Sequence, residues 1–334
     1  MSLRKALYPL WLSLAATHRT MIRGPQAAQG NALRGSSARG TTTAALTVLA
    51  LIAFAANSLF CRLALAEPII DPASYTAVRL IAGAVALWII VVLRLNGSVG
   101  KIGGSWISAA MLFLYAVTFS FAYISLSAGT GALILFAAVQ ITMIAVGLYA
   151  GERPGVLEWL GLLIAVAGLI YLVSPGVTAP SATGSVLMAA AGIAWGVYSL
   201  RGRGATNPVQ VTTGNFLRTV PLAIAVVLWL PVLTITPRGL LWATLSGSIT
   251  SGVGYVLWYA ALPRLTATRA ATLQLAVPVL AAIGGVTVLS EPVSLRLVIS
   301  AVVILGGVGL AVSYHKPRRE RQEPSAVAPT RVSD

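Results

Sequence analysis

The sequence predicts an all-α integral membrane protein, with ten transmembrane helices arranged as two inverted five-helix repeats. Three observations lead there. The 334-residue chain is 57% hydrophobic and only 9% charged, with a mean hydropathy of +0.86, whereas an average soluble domain is about one quarter charged. Apolar runs of bilayer length recur along it, with turn chemistry between them. One phrase also appears twice, as "GERPGVLEWLGLLIAVAGLIYLV" from Gly151 and "SEPVSLRLVISAVVILGGVGLAV" from Ser290.

A hydrocarbon core about 30 Å thick needs roughly 20 apolar residues as helix. The first predicted span, 42–65, stops at "EPIIDP"; the second, 73–93, stops at "LNGSVGKIGG". The third and fourth, 105–127 and 130–150, are separated only by the tight break "AGTG". "GERP" precedes 156–173, "SPGVTAPS" precedes 182–200 and "RGRGATNP" precedes 210–230. The last three spans, 238–261, 266–289 and 293–313, follow "PVLTITP", "PRLTAT" and "SEP". Proline lacks an N–H, glycine tolerates positive φ, and Asn and Asp bond their own backbone, so each punctuates helices for its own reason. Residues 1–41 and 314–334 read as cytoplasmic tails, polar or rich in Pro, Ala, Ser and Arg, and are expected to lack fixed structure. "MSLRKALYPLWLSLAAT" faintly resembles a signal peptide; a cytoplasmic extension, or a start at Met21, is the preferred reading.

Lys plus Arg number 23 against 8 Asp plus Glu, and the pI is about 10.9. In a soluble protein that balance would suggest nucleic acid. Here the positive charges follow topology. With the N-terminus in the cytoplasm, outer boundaries hold only Arg62, Arg238 and Arg296, and Arg79 and Arg218 lie within spans. Every other Lys and Arg falls in a tail or an inner loop, as the positive-inside rule requires. Nucleic acid is therefore not an expected partner. The single cysteine, Cys61, rules out an internal disulfide.

Glu152 and Glu291 lie 139 residues apart, as do Arg79 and Arg218, and Gly168 and Gly307. Each pair occupies equivalent places relative to the spans. The chain then divides into repeats at 42–173 and 182–313, and five being odd, the second enters the membrane inverted. Inverted-topology repeats recur in secondary transporters, where two half-structures exchange conformations around a central site.

The two phrases, with "FAANSLFCRLAL" followed by "YTAVRLIAGAVAL", resemble the EamA-type branch of the drug/metabolite transporter superfamily over about 42–313. The resemblance implies ten helices in two inverted repeats, cytoplasmic termini, and a cavity lined mainly by helices 1, 3 and 4 and their counterparts 6, 8 and 9. It also implies export of amino acids or other small metabolites. Helix 9 carries the usual "LAVPVLAAI", but helix 4 has "AAVQITMIA", with Gln140 near where a proline is usual. A differently shaped cavity is expected.

Charges at membrane depth are costly and default to functional candidates. Arg79 and Arg218 either attract an anionic group such as a carboxylate or bind carbonyls and helix ends; their symmetric placement favours the structural role. Arg62 is expected to snorkel to the outer surface. Glu152 and Glu291 are expected at helix junctions, as carboxylates complementing a helix N-terminus. Asn57, Ser58, Gln140 and Gln274 can bond a solute, or equally a neighbouring helix, and Asn215 shares that ambiguity. Aromatic residues cluster in the third, sixth and eighth spans; Tyr115, Phe119, Trp195, Tyr198 and Trp258 are the cavity candidates among them. Gly161, Gly168, Gly306, Gly307 and Gly309 suit close helix packing.

Both histidines, His18 and His315, are in tails, and no Asp or Glu falls mid-span, so no membrane-embedded proton relay is visible. No P-loop, dinucleotide or zinc pattern stands out, and neither a metal nor a cofactor is expected. The expected function is a non-enzymatic secondary transporter of the inner membrane with a small-molecule substrate. A membrane enzyme is the alternative and would need an acid, base or nucleophile constellation that these spans lack. The expected partners are that substrate and the lipid bilayer; a homodimer stays open.

Overall fold

The computed structural model describes residues 25–94, 102–149, 155–176, 178–202, 205–229, 234–262, 265 and 273–313, with side chains from 42 to 311. Glu152, the residues before 25 and the predicted tail 314–334 lie outside them. The chain divides into a unit of residues up to Ala45 and a second unit, Leu46–Asp334. Every contact of the candidate site lies in the second.

The helices are α1 (Pro25–Leu65), α2 (Pro72–Arg94), α3 (Trp106–Ala122), α4 (Ala128–Tyr149), α5 (Val156–Val173), α6 (Ala182–Gly202) and α7 (Pro208–Trp229). There follow α8 (Pro237–Leu245), a π-helical stretch Ser246–Val253, α9 (Gly254–Ala261), α10 (Ala276–Leu289) and α11 (Leu295–Ser313). No strand occurs among the described residues; one antiparallel bridge joins Ile70 to Ile235. The backbone of 25–41 is helical, unlike the structureless tail that its composition predicts. Among the described residues, seven stretches are long and apolar enough to cross a membrane: 42–65, 72–94, 128–149, 156–173, 182–202, 208–229 and 237–261. Trp106–Ala122, Ala276–Leu289 and Leu295–Ala311 are apolar but shorter.

Helix starts follow local chemistry. Ser105 caps α3 by accepting from Ser108 N, and Thr236 caps α8 by accepting from Gly239 N, with Pro237 at the first helical position. An oxygen there satisfies an amide that has no partner in the first turn. Glu158 reaches back to Gly155 N at the start of α5. The span predicted at 238–261 is not a regular helix. Its centre, "SGSITSGV", is π-helical, a form that appears as short bulges and often at functional sites. Gly247 permits this part of the chain to press on α2, because a Cβ there would collide with the Arg79 carbonyl oxygen.

Packing joins the two halves of the chain directly. α5 lies along α11, α3 and α4 along α6, α2 along α7 and the π-helical stretch, and α4 against α10. The twice-used phrase thus packs on itself. A Cβ at Gly161 would sit 2.5 Å from Gly307 O and Ala311 N, and one at Gly307 would sit 2.6 Å from Gly161 O. Gly168 abuts Val303 and Ile304, whereas Gly306 faces open space and Gly309 only grazes Leu275. Lipid tails are as apolar as leucine, so close backbone approach at small residues is what holds such helices together.

Candidate functional site

Aromatic spacing within helices builds one wall. Tyr115, Phe119 and Tyr123 sit one helical turn apart on one face of α3 and its end, with ring centroids 5.3 and 4.7 Å apart. Trp195 of α6 meets Tyr115 at 5.0 Å and stacks on Tyr255 of α9 at 5.3 Å. Phe54 of α1 closes on Tyr255 and Trp258, each at 5.9 Å. The rings thus run from α3 across α6 to α9 and back to α1.

Polar groups enter this wall from α1, α2 and the π-helical stretch. Asn57 is 7% exposed; its Nδ2 donates to the Tyr115 hydroxyl, and its Oδ1 accepts from Ser246 Oγ and Thr250 Oγ1. Arg79 is 2% exposed. Its Nη2 donates to the Tyr115 hydroxyl at 3.0 Å, and its guanidinium carbon lies 5.2 Å from the Tyr115 ring centroid and 5.0 Å from that of Phe119. Its Nη1 is buried with no hydrogen-bond partner, and no carboxylate pairs with it among the described residues.

These groups surround a cavity of about 30 Å³. Its lining comes from both halves: Phe54, Asn57, Ser58, Arg79, Tyr115, Phe119, Leu135 and Phe136 from one, and Trp195, Thr250, Ser251, Tyr255 and Gln274 from the other. Pockets for drug-sized ligands run to about 300 Å³ and more, so this form is nearly closed and holds on the order of two waters. Any larger occupant requires the walls to part.

Of the residues singled out from sequence, Asn57, Ser58, Arg79, Tyr115, Phe119, Trp195 and Gln274 meet at this cavity. Gln140, Tyr198, Trp258 and Arg218 do not line it. Gln140 is buried within α4, Tyr198 packs on Trp195, and Trp258 packs on Phe54. Arg218 donates from Nη1 to the carbonyls of Gly103 and Gly214, each at 2.8 Å. Beside it, Asn215 Oδ1 accepts from Ser105 N. Both residues of α7 therefore fasten the start of α3, where Gly104 turns the chain with φ +94°. Sequence reading did not single out Phe54, Phe136, Thr250 and Ser251; "SITSG" inside an apolar run was the signal available for the last two.

The glutamate junction differs from expectation in its partner. Ser290 takes a left-handed φ of 53°. The following carboxylate turns to α4 rather than to the helix after it: Glu291 Oε2 accepts from Ala128 N at 2.8 Å, and Oε1 from Arg62 Nε at 2.9 Å. Arg62 Nη1 donates to Tyr123 O. Arg62 therefore does not snorkel outward as predicted; a carboxylate and a carbonyl beside it hold the guanidinium at the junction.

The EamA-like transporter family model matches residues 182–313. An uncharacterized protein of Pseudomonas aeruginosa is 48% identical over 276 residues, which is 82% of this chain and 95% of that one. The chain belongs to the EamA-like transporter family. It is a multi-pass membrane protein and a transporter of the drug/metabolite transporter superfamily. The threonine/homoserine exporter RhtA of Salmonella typhimurium is 29% identical over 196 residues, covering 54% of this chain and 61% of that exporter. A solved crystal structure superposes with a TM-score of 0.57 at 23% identity, covering 79% of this chain and 98% of its own, and supports the fold alone.

Proposed function

We propose that this EamA-like protein is a secondary transporter of the inner membrane that exports amino acids or similar small metabolites by alternating access. In this reading ten helices cross the bilayer, α8, the π-helical stretch and α9 counting as one, and the termini are cytoplasmic. The three shorter helices are accommodated by local thinning of the bilayer and by flanking residues, at a cost of fractions of a kcal/mol per Å of mismatch. The halves 42–173 and 182–313 act as inverted repeats. The observation that carries this reading is the cavity itself: it lies on the contact between the halves and takes its lining from both. A relative motion of the halves would then expose the same residues to either side in turn. Amino acids are favoured as substrate by the relative named as a threonine/homoserine exporter.

Counterflow tests this. Liposomes containing the purified protein are preloaded with unlabelled amino acids and related metabolites, and entry of labelled threonine and its companions is followed. Saturable, preload-dependent entry is expected. Folded protein that exchanges no solute would overturn the proposal.

A further inference from the structure

We infer that the cavity is a monocarboxylate site, in which Arg79 Nη1 and the Tyr115 hydroxyl grip the carboxylate and the substrate's ammonium group is dispensable. The inference rests on the transport reading and adds the chemistry of recognition.

Arg79 sits in the cavity wall, is 2% exposed, and leaves Nη1 without a hydrogen-bond partner. A buried cation is tolerated when it is paired, and an uncompensated one is costly. The ring faces of Tyr115 and Phe119 offset part of that cost. They supply no acceptor for the Nη1 protons. The Tyr115 hydroxyl already accepts from Arg79 Nη2 and Asn57 Nδ2. Neither bond uses its own proton, so it too is a donor next to Nη1. Two adjacent donors, one of them cationic, match two carboxylate oxygens.

Charge fixes the class further. Among the described residues Arg79 is the single charged side chain in the lining, so a monoanion neutralises the site, and a phosphate dianion would leave excess negative charge in a low-dielectric enclosure. Among the described residues the lining also holds no carboxylate. Asn57 Oδ1 is already engaged by Ser246 and Thr250. Nothing ionic therefore waits for an ammonium, which an amino-acid substrate must carry against aromatic faces. Recognition thus reads the carboxylate.

Three probes separate the groups: threonine, 3-hydroxybutyrate (carboxylate, no ammonium) and threonine methyl ester (ammonium, no carboxylate). Each is titrated against the purified full-length protein by tryptophan fluorescence, since Trp195 is part of the wall. Threonine and 3-hydroxybutyrate are expected to bind with affinities within about tenfold of each other, and the ester not to compete. Arg79→Gln should weaken both acids by about 10- to 100-fold and abolish the preference for acid over ester. Arg79→Lys should fall between, and Tyr115→Phe should weaken the acids while keeping a preference. A merely structural Arg79 would weaken acid and ester alike. The inference is overturned if the ester binds as tightly as the acid, if neither acid binds, or if Arg79→Gln keeps the preference while folded. Counterflow without carboxylate preference overturns this inference alone; carboxylate binding without counterflow overturns the transport reading alone.

Discussion

Arg218 and Arg79 illustrate how a residue's neighbours decide its role. Arg218 spends its Nη1 on two carbonyls, that of Gly103 in the turn before α3 and that of Gly214 one turn back in its own helix. Arg79 leaves its Nη1 unpaired in a cavity. Removing the first charge breaks two bonds to carbonyls; removing the second breaks one bond to the Tyr115 hydroxyl and the ring contacts, but also removes a buried cation with no carboxylate partner among the described residues. Arg218→Gln is therefore expected to destabilise the protein by about 1.5–3 kcal/mol, the worth of hydrogen bonds to a charged group. Arg79→Gln should cost less or nothing. Thermal unfolding in one detergent, followed by intrinsic fluorescence, ranks the two; the reverse order would show that Arg79 is the structural residue. Sequence could not have separated them. They share the 139-residue spacing and comparable places early in their helices, and that symmetry argued for a shared structural role. What distinguishes them is what faces each one, the turn at Gly103–Ser105 for one and the rings of Tyr115 and Phe119 for the other, and no local pattern encodes that.

Helices were far more legible than side-chain roles, because bilayer-length apolar runs and their Pro, Gly and Asn breaks are local signals. Pro72, Pro208 and Pro237 each open the helix whose boundary they mark. The π-helical stretch was not legible. "SGSITSGV" reads as an ordinary polar-dotted segment of a span, and the contact that its backbone makes there, Gly247 against the Arg79 carbonyl of α2, is not encoded by any local pattern. The glycines were legible as a class but not individually. Gly306 and Gly307 are neighbours in "GGVG", yet only Gly307 meets another backbone, at Gly161 and Ala165. Gly307→Ala should force α5 and α11 apart and destabilise by about 1–3 kcal/mol, as overpacking does, while Gly306→Ala should change stability little. Unfolding midpoints of the two variants check this; equal effects would mean that α5 and α11 do not cross at Gly307.

For the whole molecule, the proposed inverted arrangement makes a geometric claim about sides. The loop holding Asp71 and the loop before α8 belong to one surface: Asp71 Oδ2 accepts from Thr234 N, and Asp71 N donates to Thr234 O. The Glu291 junction ties α4, α1 and the end of α3 together, and Arg296 at the start of α11 donates to Ser174 O at the end of α5. With the N-terminus in the cytoplasm, all of these fall on the outer side, and the turn between α6 and α7 falls on the inner side. The protein carries a convenient background for testing this, because its one cysteine, Cys61, is fully buried. Glu67, Thr178 and Thr206 are exposed. Cysteine at Glu67 or Thr178 should react with a membrane-impermeant thiol reagent added to intact cells. Cysteine at Thr206 should react only after the cells are opened. The order of odd and even crossings links the three positions, since four helices, α2 to α5, separate Glu67 from Thr178 and one more, α6, carries the chain back to Thr206. Reaction of Thr206→Cys from outside together with Glu67→Cys would remove the odd-numbered repeat, and with it the inverted relation between the halves on which exchange of conformations depends.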